Sequence, residues 1–140
     1  MNSNLERFIE AQERDFETAL EEIRAGYKRS HWMWYIFPQI AGLGYSYMAK
    51  MYEIQGLDEA VAYMENEYLR ENLIEITRAL LACENDDVEA IMGYPDNLKL
   101  CSSMTLFEVA APEVTEFSQV LDRFYDGIRD AKTLKLLKDN

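Results

Sequence analysis

One histidine and two cysteines among 140 residues leave little for a metal to bind. A structural zinc site draws about four ligands from Cys, His and carboxylates. Cys83 and Cys101 stand far apart in the chain, with no CxxC pair beside them. Reduced, buried thiols in a cytoplasmic protein are the expectation, with no metal and no cofactor. Basic residues are scarce as well: 14 Lys and Arg face 26 Asp and Glu, a formal charge of −12. A surface of that sign repels phosphate backbones and anionic lipid, which argues against nucleic-acid and membrane partners.

Long apolar runs are missing too. The opening residues MNSNLERFIE hold no apolar stretch of the kind a secretory signal needs. One segment, Trp32 to Ala49, is free of charge for 18 residues. Pro38, Gln39, Gly42, Gly44 and Ser46 interrupt it, and in lipid each would break a lone helix or strand a polar group. That segment reads as core and pocket lining. With three prolines and six glycines there is no low-complexity tract or linker, and no repeat is visible. Alternation of the strand type is absent except for a hint at residues 32–37. The length suits one domain, able to bury about two-thirds of its unfolded surface.

What the sequence does contain is helical periodicity. Leu5, Phe8, Ile9, Phe16, Leu20 and Ile23 recur at the spacing of one helix face. Asn2 or Ser3 would cap this helix and Gly26 would end it. Residues 30–37 suggest a short helix capped by Ser30 and stopped by Pro38. Gly42-Leu43-Gly44 reads as a turn, and Ser46 as the cap of a helix over about 47–54. Further helices are predicted over 58–65, over 67–83, and from Asn85 to Gly93. From Pro95 to about Ala110, apolar residues lie all round the helix, which implies burial on most sides. Val114, Phe117, Leu121, Phe124 and Ile128 form another stripe, and Leu134 with Leu137 a last short helix. The fold class that follows is all-α: a single multihelical domain of about seven to nine helices over residues 1–140. Gln12 falls on the apolar stripe of the first helix, as a buried amide bonded to a neighbouring loop or as a ligand contact.

Charge is unevenly distributed. No acid occurs between Glu22 and Glu53, whereas Arg24, Lys28, Arg29 and Lys50 do. The same window holds both tryptophans, the only histidine, and 8 of the 17 aromatics. A second acid-free window, Asn97 to Phe107, carries Lys99, Ser102, Ser103 and Thr105, and helical spacing puts Lys99, Ser102 and Ser103 on one face. Bases, hydroxyls and aromatics without carboxylates suit a small anionic ligand bearing a ring. Lys28, Arg29 and Lys99 would hold the anion. Trp32, Trp34 or Tyr35 would stack. Ser30, Gln39, Ser102 and Ser103 would hydrogen-bond. The Gly42–Gly44 turn leading to Ser46 would bring backbone N–H groups close. The bland alternative is that the aromatics are core. For catalysis the candidates are His31, by its titration range, and Asp96; a nucleophile at Ser102 or Ser103 with His31 as base and Asp96 as orienter is conceivable.

The run Lys28-Arg29-Ser30-His31-Trp32-Met33-Trp34-Tyr35-Ile36-Phe37-Pro38-Gln39, followed by Gly42-Leu43-Gly44-Tyr45-Ser46, resembles the signature of the domain-of-unknown-function family 1810. Leu5-x-Arg7-Phe8-x-x-Ala11-Gln12 is similar to that family's opening. Asp96-Asn97-Leu98-Lys99 with Ser102-Ser103-Met104-Thr105-Leu106-Phe107 is similar to its second block. The resemblance implies an all-helical, mostly bacterial domain with no established activity; the label calpastatin that some members carry finds no support in these residues. The chain departs from the family pattern His-Pro-x-Leu-Gly-x-Arg-Leu, reading Asn66-Glu67-Tyr68-Leu69-Arg70-Glu71-Asn72-Leu73 there, so no role passes to that His or Arg. Both signature blocks coincide with the acid-free windows. The leading expectation is therefore a pocket for a nucleotide-like or phosphorylated ligand. A protein–protein interaction or self-association module, and an enzyme acting on such a ligand, are the alternatives.

Overall fold

The computed structural model describes residues 4–139, so the Asn2 and Ser3 caps lie outside the described residues. Nine helices are found among them and no strand. The first, α1 (Glu6–Arg24), buries Phe8, Phe16, Leu20 and Ile23 as its periodicity predicts. It ends in a Schellman motif. The Tyr27 N–H bonds the Glu22 carbonyl and the Gly26 N–H that of Ile23, while Gly26 adopts the positive φ of +79° that such an ending requires.

Next come α2 (Met33–Ile36), α3 (Tyr47–Met51), α4 (Leu57–Glu65) and α5 (Glu67–Leu81), then α6 (Val88–Met92), α7 (Asp96–Ala110), α8 (Thr115–Phe124) and α9 (Ala131–Asp139). Ser46 caps α3 by accepting from the Ala49 N–H at 3.1 Å, and Asp87 caps α6. Two expectations are corrected. Ser30 caps no helix: α2 starts three residues later, because the Ser30 hydroxyl is bonded elsewhere. Ile128 lies beyond the end of α8 and is 67% exposed.

The core is one continuous cluster. α5 packs on α1, α4 and α8, while α7 packs on α4, α6, α8 and α9. That position explains why α7 is buried around most of its circumference, with Leu100, Met104, Leu106 and Phe107 fully enclosed. Ring contacts join the layers in series: Tyr35 to Tyr52 at 5.1 Å, Tyr52 to Phe8 at 5.9 Å, Phe8 to Tyr63 at 5.3 Å, Tyr63 to Phe107 at 5.1 Å, and Phe107 to Phe117 at 6.1 Å. Each such pair adds about 0.5–1.5 kcal/mol beyond the area it buries. The segment between α2 and α4 is fastened by paired backbone bonds, Ala41 N–H to Ile54 O and Ile54 N–H to Gln39 O, both 2.8 Å. Gln39, Leu43 and Gly44 of this segment share a hollow with Lys99 of α7.

Candidate functional site

The loop leaving α1 is shaped by one buried carboxylate. Glu22, 5% exposed, accepts hydrogen bonds from the Arg29 N–H at 2.8 Å, the Ser30 N–H at 3.0 Å, the Ser30 hydroxyl at 2.5 Å and Trp32 Nε1–H at 2.9 Å. Burial by itself would raise its pKa. The bonds from Ser30, Arg29 and Trp32 outweigh burial and bring it down to about 2. The Lys28 N–H bonds the Ile91 carbonyl at 2.8 Å, tying the loop to α6. Residues 28–31 are thus held against the first turn of α7.

Between them lies a cavity of about 360 Å³, lined by Lys28, Arg29, Ser30, His31, Met33, Trp34, Tyr94, Pro95, Asp96 and Lys99. The two sequence windows therefore meet at one place. Lys28 Nζ lies 2.9 Å from Asp96 Oδ2, and Lys99 Nζ lies 3.8 Å from Asp96 Oδ1. Lys28 has a side chain only 7% exposed and sits 4.7 Å from the Trp32 ring centroid. Its charge is already matched by Asp96, as a buried ammonium requires. Lys99 is the looser partner and lies 5.9 Å from the Trp34 ring. The Arg29 guanidinium makes no hydrogen bond or ion pair among the described residues. The cation least committed to a carboxylate is therefore Arg29, followed by Lys99 and then Lys28.

A second cavity, of about 290 Å³, is lined by Gln39, Leu43, Gly44, Tyr45, Ser46, Ala49 and the same Lys99. Gly44 is required here by close approach: a Cβ added to it would lie 2.6 Å from Ala49 Cβ. Gly44→Ala should therefore cost about 1–3 kcal/mol through forced displacement of the loop, measurable by denaturant unfolding; an unchanged midpoint would show that the loop moves aside freely.

Other residues singled out in the sequence are placed elsewhere. Trp32 is fully buried, its indole N–H used by Glu22, so it cannot stack on a ligand in either cavity. Gly42, with φ of +104°, faces Leu136 of α9. Ser102 donates to Asp130 Oδ2 at 3.1 Å, on the side of α7 that receives α9; Asp130 in turn caps α9 through the Thr133 N–H at 3.1 Å. Ser103 is fully buried, and its hydroxyl has no partner among the described residues. Neither serine is brought to His31, which is exposed at the rim of the first cavity. Sequence reasoning missed Tyr94, which stands 71% exposed at the mouth of that cavity; its position five residues before Lys99, beside Pro95, was the available signal.

A larger hollow of about 970 Å³ runs along the outer face of α5. Its arginines are spent on carboxylates: Arg24 on Glu75 at 3.4 Å, Arg70 on Glu113 at 3.3 Å, Arg78 on Glu116 at 2.6 Å. Among the described residues no group of three or more His, Cys, Asp or Glu is placed to hold a metal ion, and no helix is long and apolar enough to cross a membrane.

The chain is similar to the conserved hypothetical protein Rv1873 from Mycobacterium tuberculosis, whose crystal structure superposes with a TM-score of 0.94 at 44% sequence identity over 96% of both chains. Comparison with curated proteins yields no match. The profile of the family described as "Protein of unknown function (DUF1810)" matches residues 2–137, which takes in both signature windows and every helix from α1 to α8; the chain belongs to that family.

Proposed function

We propose that this protein binds a small anionic ligand, nucleotide-like or phosphorylated, between the 28–31 loop and the first turn of α7. The observation that supports this most is the meeting of Arg29, Lys99, Trp34 and Tyr94 around one cavity. Three bases and a single acid line it, in a chain whose formal charge is −12. Local charge opposite in sign to the whole marks a place that attracts anions rather than a generally cationic surface. Arg29 supplies a fork suited to phosphate or carboxylate. Trp34 and Tyr94 offer ring faces. Asp96 holds Lys28 and Lys99 in position without cancelling the excess.

The test is thermal unfolding against nucleotides, ADP-ribose, sugar phosphates and dicarboxylates. A ligand at a hundred times its Kd should raise Tm by roughly 8 °C. Arg29→Ala and Lys99→Ala should each remove most of that shift while leaving the ligand-free Tm nearly unchanged, since neither charge is tightly bound within the fold. Lys28→Ala should differ by lowering the ligand-free Tm, because it removes the nearer and more buried of the two lysines that pair with Asp96. A panel without any shift would defeat the proposal. His31 at the rim supports a second reading, proton transfer on a bound ligand; full turnover by His31→Ala, with the substrate in hand, would dismiss it.

A further inference from the structure

The anion site has a neighbour, and the two share a residue. Lys99 lines both the 360 Å³ and the 290 Å³ cavities. Trp34 stands between them: it lines the first, and it also lines a narrow cleft of about 10 Å³ with Gln39, Gly44 and Ala49, which themselves border the second, and with Glu53, one of whose carboxylate oxygens is buried without a hydrogen-bond partner among the described residues. Each hollow is near the lower limit of about 300 Å³ for a site holding one compact ligand. Lys99 is common to both, so a ligand spanning the two would be elongated, with a cation at its middle.

The ends of that site are alike. Tyr94 stands exposed at the first cavity and Tyr45 at the second, 71% and 77% accessible. A tyrosine so exposed contributes little to the core, and each presents a ring next to a hollow of ring-plus-phosphate size. Lys50 Nζ, 5.6 Å from the Tyr45 ring, adds a second base at that end. The Gln39 side chain makes no hydrogen bond among the described residues, and Ser46 adds a hydroxyl beside it. No acid lines the second cavity.

Resting on the anion-binding reading, we infer that the ligand is two-headed: two ring-bearing groups joined through a phosphoryl bridge. The bridge lies at Lys99. One ring reaches Tyr94 and Arg29, and the other reaches Tyr45 and Gln39. A single-ring nucleotide would fill one cavity and leave the other to water. One additional aromatic stack of the Tyr45 kind is worth about tenfold in affinity.

The experiment compares ADP with diadenosine diphosphate by calorimetric titration, on the full chain and on Tyr45→Ala and Lys99→Ala. Diadenosine diphosphate should bind about tenfold more tightly than ADP. Tyr45→Ala should abolish that advantage, bringing the two ligands to equal affinity. Lys99→Ala should weaken both ligands. Equal affinity for the two ligands, with ADP still bound, would overturn the two-headed inference and leave the anion site standing. An advantage that survives Tyr45→Ala would overturn it as well. Binding of neither ligand would overturn the inference for nucleotides, and a flat response across the wider panel would then take down the anion-binding reading beneath it.

Discussion

Replacing Glu22 with alanine should lower stability by about 4 kcal/mol, the upper range for a single side chain, and Tm by roughly 13 °C for a domain of this length. The carboxylate gathers four donors in one place: two backbone N–H groups, a hydroxyl and an indole N–H. Alanine would leave Trp32 Nε1–H buried without a partner and would free the loop that carries Arg29 and Ser30. Chemical denaturation measures the loss. A change below about 1 kcal/mol would mean that the loop finds its geometry without the carboxylate.

The same residue sets a pH dependence. Its folded pKa, about 2, lies below the ordinary value of 4.5. Between those values the unfolded chain binds more protons than the native one. The contribution is therefore complete above about pH 4.5 and disappears as pH falls toward 2. At about 1.36 kcal/mol per unit its size is about 3 kcal/mol. Glu108, hydrogen-bonded by Arg129, and Glu116, hydrogen-bonded by Arg78, are lowered in the same direction, so acid unfolding will not vanish in a Glu22→Gln variant. Its slope of stability against pH should fall by at most about 1.4 kcal/mol per unit over that window. An unchanged slope would show that Glu22 does not titrate with folding.

Local rules read this fold well, and long-range partners account for what they missed. The α1 stripe, the Gly26 ending and the Ser46 cap are each decided by residues within one or two turns, and the structure has them all, while α7 starts at Asp96, one residue after Pro95. Ser30 has the sequence position of a cap, yet its hydroxyl belongs to Glu22, a residue on the preceding helix. Lys28 counts as a free base in a charge map, but Asp96, far along the chain, neutralises it in space. Lys99, Ser102 and Ser103 do share a helical arc by spacing. The docking of α9 against α7 takes Ser102 for itself, and no periodicity in α7 announces that. The convergence of the two acid-free windows was legible because the surplus of bases over acids is a property of the site as a whole, with Asp96 its single acid, independent of which base faces inward. Glu22, the residue that organises the loop, was hidden by the same reasoning, since it sits at the border where the window was drawn.

Gln12 offers the second large effect. Its amide donates to the Tyr35 carbonyl and to the Tyr63 hydroxyl, both at 2.9 Å, and accepts from Asn72 Nδ2 at 3.0 Å. One side chain thus joins α1 to α2, α4 and α5. Tyr63 is fully enclosed, and burial holds its phenol well above the ordinary value, so a lost acceptor or donor there is not replaced by solvent. Gln12→Ala should cost about 3 kcal/mol, from stranded partners and a small cavity together, or roughly 10 °C in Tm. A cycle with Tyr63→Phe should show coupling of about 1 kcal/mol or more, since the second change removes a hydroxyl that the first has already orphaned. Strict additivity would mean that the two do not act through their bond. The variant also separates the two roles a glutamine on this stripe could have had. Gln12 lines neither cavity, so a ligand that stabilises the parent protein should raise the lower Tm of Gln12→Ala by a similar interval. Loss of that interval while the variant remains folded would instead make the amide part of the binding site, reached through Tyr35 and the α2 segment that carries Trp34.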